Sequence, residues 1–109
     1  MIVSPGNRPD EIEKQAFVSD IEAKLLEKQD RLSFIKHKVR HASESQRIEV
    51  SEQLLRAEQH ADSSVEALRA QLELLQEAND ESWPAGRFAV EVAWDELSQA
   101  IKKVVARFP

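Results

Sequence analysis

A chain of 109 residues, 41% hydrophobic and 32% charged, has room for one small domain with a thin core. Two glycines and four prolines leave little to interrupt helix, and the absence of cysteine excludes disulfides and thiolate metal sites. No apolar run approaches the roughly 20 residues of a membrane span, and a net charge of −5 argues against general nucleic-acid binding.

Residues 1–8 read as an irregular tail, because Pro5, Gly6 and Pro9 break regular structure. Asn7 is a candidate cap for the helix that follows. The N-terminus lacks a basic flank leading into a long apolar stretch, so no signal peptide is expected and the expected location is cytoplasmic. Residues 9–109 read as a single helical domain.

From Val18 a heptad seam runs through Ile21, Leu25, Lys28, Leu32, Ile35, Val39 and Ala42, apolar at every position but Lys28. The same phase then meets Gln46, Glu49 and Gln53, and the seam resumes one residue out of step at Leu54, Ala61, Val65, Leu68, Leu72 and Leu75. Ser43 to Gln46 fits a capping box, so a turn is expected near 42–46, with a continuous helix and a register slip as the alternative. Asn79 and Asp80 end the second segment, and Ser82 is placed as the cap of a third, with Pro84 in its first turn.

The third seam runs through Trp83, Arg87, Val90, Trp94, Leu97, Ile101, Val104 and Phe108. Phe88, Val90, Val92 and Trp94 also alternate as a strand would, but the longer heptad run favours helix. The register breaks where the proline sits, which predicts a turn rather than a kink. The fold class is therefore all-α: an elongated antiparallel three-helix coiled-coil bundle with helices near 9–42, 45–79 and 82–107. Long kinked helices pairing as a helical-hairpin dimer are the alternative.

Charge is unevenly spread. Arg31, Lys36, Lys38, Arg40 and Arg47 face a single acid, Glu44, within their segment, and Lys102, Lys103 and Arg107 end the chain without an acid. In an up-down-up bundle these eight cations share one pole, and Asp10, Glu11, Glu13, Glu73, Glu77, Asp80 and Glu81 share the other. Complementarity to the helix dipoles would by itself produce such a layout. The sharper reading makes the basic pole a binding surface for an acidic partner, a second copy or an anionic membrane.

A second candidate surface is the apolar seam of the third helix, Trp83, Phe88, Val92, Trp94, Leu97 and Ile101. Tryptophans in such a seam are more often core anchors than ligand stackers, yet Phe88 and Val92 fall off the main stripe. Either the third helix is central or it offers an apolar flank to a protein or lipid surface.

His37 and His41 stand at i, i+4 with Glu44 beyond, but their heptad positions face outward and His60 lies elsewhere, so no metal ligand set closes. A phosphate-binding glycine loop and a nucleophile elbow are both absent, and the carboxylates read as solvated helix faces. Neither catalysis nor a cofactor or small-molecule substrate is expected.

Leu68, Leu72, Leu75, Ala78, Trp83, Ala93, Trp94, Leu97, Ala100, Ala106, Arg107 and Phe108 carry a resemblance over the last 40 or so residues. The pattern resembles a group of short bacterial coiled-coil proteins loosely linked to stress responses. That resemblance implies scaffolding rather than catalysis. The chain departs from the group's pattern at Pro84 and in its basic block at 31–47. Together these readings lead to a non-enzymatic interaction or scaffold protein, self-associating or with a protein partner. The alternative is a peripheral binder of anionic membrane surfaces through the basic pole and the third helix.

Overall fold

The computed structural model describes residues 9–46 and 51–107. They form three helices, α1 (Pro9–Gln46), α2 (Glu52–Gln76) and α3 (Trp83–Ala106), with no strand among the described residues. The elements lie in a rod of 70 × 20 × 17 Å. The strand-like alternation around Phe88 to Trp94 lies wholly within α3.

The order is up-down-up. Gln76 donates to Glu22 at 2.8 Å, and Lys36 pairs with Asp62, so α2 runs against α1. Arg107 bonds to Gln53 at one end of the α2–α3 hairpin, while Gly86 backs onto Leu75 at the other. Phe17 meets Trp83 and Lys28 meets Trp94, so α1 and α3 run parallel.

Small residues decide which helices approach most closely. Ala61, Ser64, Ala93 and Ala100 are buried, and Gly86 stands against Leu75, letting α2 and α3 pack with backbones close together. α1 instead contributes Ile21, Leu25, Leu32 and Val39 to the core, and these longer side chains hold it farther off. The interior is otherwise made of Leu54, Val65, Leu68, Leu72, Leu75, Val90, Leu97, Ile101 and Val104. Burial of this apolar surface is the main favourable term in folding. Lys28, the polar position of the first seam, is half-buried with its ammonium 5.4 Å from the Trp94 ring centre.

The expected turn at 42–46 is corrected. Ser43 lies inside α1, which continues to Gln46, and the N-cap of α2 is Ser51. Ser51 has extended backbone, and its hydroxyl accepts the Leu54 N–H at 3.1 Å. Glu52 follows in the first turn, where the helix dipole favours an acid. Apolar spacing stops after Ala42 because α1 outlasts α3: Lys38 lies level with Val105, next to the end of α3, so the last turns of α1 run beside α2 alone. Loss of the seam marks the end of the partner helix and not of α1 itself.

The second junction is a turn, as the register break predicts, but its chemistry differs from expectation. Ser82 makes no side-chain cap bond to α3. It joins Asn79 in a reciprocal box: the Ser82 N–H donates to Asn79 Oδ1 at 2.8 Å and the Asn79 N–H to Ser82 Oγ at 3.0 Å. The Trp83 N–H then donates to the Asn79 carbonyl at 2.9 Å, so the helical path begins at Asn79. Asn79, expected to end α2, leads into α3. Pro84 falls in the first turn, where its missing N–H is tolerated.

Candidate interaction surface

At the end of the rod where α1 begins, a cleft of about 600 Å³ opens between α1, the end of α2 and the α2–α3 turn, with Glu11, Lys14, Val18, Gln76, Asp80 and Trp83 on its walls. Its cation is engaged within the chain: Lys14 pairs with Asp80, and its ammonium is 5.3 Å from the Trp83 ring centre. Phe17 meets Trp83 edge-on at 6.3 Å, and the Arg87 guanidinium lies 4.7 Å from the centre of Phe17. This ladder of cations and rings fastens the start of α1 to the start of α3.

The opposite end carries the basic residues, and the structure divides them. Lys36 turns toward α2, with its ammonium 2.5 Å from an Asp62 oxygen and its side chain largely covered. Arg40 lies near Glu58 on the same side. Burial pushes the Glu58 carboxyl above the usual carboxylate range; Lys36 and Arg40 pull it down, and Asp62 pushes it up. Glu58 Oε1 is buried without a hydrogen-bond partner among the described residues. Arg107 bonds to Gln53. Lys102 and Lys103 are exposed on α3, and Arg47, like Phe108, lies outside the described residues. Among the described residues these cations are divided: Lys36 and Arg40 turn to α2, and Arg107 ties α3 to it.

Two of the rest frame a groove. Arg31, Phe34, Ile35 and Lys38 of α1 and Val105 of α3 enclose about 310 Å³ of largely apolar space between the parallel helices. Phe34 is 59% exposed and Val105 is 43% exposed. The Lys38 ammonium is 5.1 Å from the Phe34 ring centre. Neither Arg31 nor Lys38 is ion-paired among the described residues. Lys102, one turn before Val105, adds a third cation to the same side. The chemistry offered is an apolar contact ringed by positive charge.

The apolar seam named from the third helix divides in the same way. Leu97 and Ile101 are core. Trp83 and Trp94 are half-buried and packed against it. Phe88, 68% exposed, and Val92 face outward. Phe34 and Val105 were missed as site residues because each is a single apolar residue off its own seam; they form a groove only because α1 and α3 run side by side. The available signal was the flanking of Phe34 by Arg31 and Lys38 at helical spacing.

His37, His41 and His60 are all exposed, and His41 lies 3.4 Å from the Ser45 hydroxyl. Among the described residues, no group of three or more His, Asp or Glu is arranged to hold a metal ion, and no helix is long and apolar enough to cross a membrane. No family model, curated protein or solved structure matches the chain.

Proposed function

We propose that the chain is a non-enzymatic interaction module, a stiff helical rod that engages a protein partner through the groove between α1 and α3. The observation that carries this reading is the exposure of Phe34 and Val105 beside two cations that have no carboxylate partner among the described residues. Apolar residues flanked by unpaired charge suit a partner that brings its own apolar anchor among acids. The resemblance of the C-terminal part to bacterial coiled-coil proteins points in the same direction. A lipid surface is a weaker occupant: membrane-interface helices present a broad apolar face on one helix, whereas here the apolar groups sit in a narrow groove between two.

A photo-reactive phenylalanine analogue at position 34, introduced in living cells, tests the reading. A discrete protein adduct is expected from position 34 and not from the exposed position 63, and it should disappear when Arg31 and Lys38 are changed to Glu. No adduct above the control overturns the proposal. Salt-sensitive co-sedimentation with vesicles containing anionic lipid, lost in Phe34→Asp and without any protein adduct, replaces the protein partner with a membrane surface.

A further inference from the structure

The α1–α3 face is complementary to itself. Along α1, Asp20, Lys24, Glu27, Arg31, Phe34 and Lys38 follow at spacings of four and three, which keeps them on one stripe of a bundle helix. Along α3, Phe88, Glu91, Asp95, Ser98, Lys102 and Val105 do the same. Arg31, Phe34 and Lys38 on the first stripe and Val105 on the second border the groove, so both stripes flank the same α1–α3 junction. On α3 the acids Glu91 and Asp95 precede Lys102. On α1 Asp20 and Glu27 lie toward the start, with Lys24 between them and 2.9 Å from an Asp20 oxygen, and Arg31 and Lys38 lie toward the end. The most exposed apolar residue, Phe88, stands among acids at one end, and the apolar groove stands among bases at the other.

We propose, resting on the interaction reading above, that the partner is a second copy of this chain, joined in an antiparallel two-fold dimer across the α1–α3 face. A two-fold axis crossing the rod sets α1 against its symmetry mate and α3 against its own. With the axis at position 29 of α1, Asp20 falls opposite Lys38 of the other copy and Glu27 opposite Arg31. With the axis midway between positions 96 and 97 of α3, Phe88 falls opposite Val105, Glu91 opposite Lys102 and Asp95 opposite Ser98.

These are two independent registers, and the fold makes them one. Lys28 stands beside Trp94 and Lys38 beside Val105, so position 29 of α1 is level with positions 95–96 of α3, within about 1.5 residues, or about 2 Å, of the α3 axis. A single axis therefore brings both stripes into register to within about one helical turn. Each Phe88 enters the groove of the opposite copy, and acid meets base at positions 20 and 38, 27 and 31, and 91 and 102, while Lys24 falls opposite the Phe34 ring.

Sedimentation velocity over a concentration series tests the dimer. A species of twice the 12.4 kDa chain mass is expected, weakened by salt. Phe88→Asp, Asp20→Lys and Lys38→Glu should each raise the dimer Kd by about tenfold or more. Mixing the Asp20→Lys and Lys38→Glu proteins should restore a dimer, because each copy then meets opposite charge at both contacts. Positions 20 and 38 are about 27 Å apart on one helix, so they cannot rescue each other within a chain. All three residues are on helix faces at the surface, and circular dichroism checks that each variant stays helical. A monomer at all concentrations, or a dimer indifferent to these changes, overturns the proposal. If the photo-adduct from position 34 then has the mass of a different protein, the interaction reading stands and only the self-pairing fails.

Discussion

Gly86 of α3 lies directly against Leu75 of α2: a Cβ at position 86 would stand 2.9 Å from Leu75 Cδ1. Leu75 is fully buried, so its side chain has little freedom to move aside. This contact sets how tightly the α2–α3 hairpin closes. Alanine at 86 gains about 1 kcal/mol of helix propensity and loses a comparable amount to the contact, so Gly86→Ala should leave stability nearly unchanged. Gly86→Leu adds volume with no compensating space and should destabilise by about 1–3 kcal/mol. Urea unfolding of the two variants measures the difference.

Ser51 caps α2 through the Leu54 N–H, whereas Ser43 lies within α1. Ser51→Ala should cost about 1 kcal/mol. Ser43→Ala should be neutral or slightly stabilising, since alanine is the better residue inside a helix. Thermal unfolding of both proteins locates the helix start, and a larger loss at 43 than at 51 would move it back into the SESQ segment.

Leu97 is wholly inaccessible to solvent at the centre of the three helices, while Phe88 on the same helix is largely exposed. A carboxylate at 97 has no partner in the apolar core, and burying it costs several kcal/mol against a total stability of about 5–15 kcal/mol. Leu97→Glu should abolish cooperative unfolding in circular dichroism. Phe88→Glu should retain it, with a change in monomer stability within about 0.5 kcal/mol.

Glu58 predicts a pH dependence. Its carboxyl is raised in the folded protein, chiefly by burial, so the folded state holds that proton more tightly than the unfolded chain does. Its contribution is favourable at pH below the ordinary carboxylate value and is lost as pH rises through the raised one. Glu58→Gln should therefore become more stable relative to the parent as pH rises from 4 to 7. A melting-temperature difference independent of pH over that interval would show that Glu58 is not displaced from ordinary behaviour.

Helical class, three segments and most core positions were readable from the chain, because heptad spacing is a local consequence of helix geometry. Leu54, Leu68, Leu72 and Leu75 belong to the core on spacing alone. Pro84 likewise marked a true turn, because proline restricts backbone wherever it occurs. The α1–α2 junction was misplaced for the complementary reason. Periodicity reports where a partner helix is available, and α1 outlasts α3.

Which surface is available for contact depended on the assembled bundle. The sequence by itself assigned Lys36 and Arg107 to a basic pole and grouped Trp94 with Phe88, since charge and heptad position can be counted along a chain. Only tertiary structure paired Lys36 with Asp62, covered one face of Trp94 with Lys28, and left Phe88 outward. It also brought Phe34 and Val105 to the same groove. The physical reason is that local spacing sets the face of a helix on which a residue lies, whereas the neighbour across that face is set by how far the next helix extends and how closely its small residues let it approach.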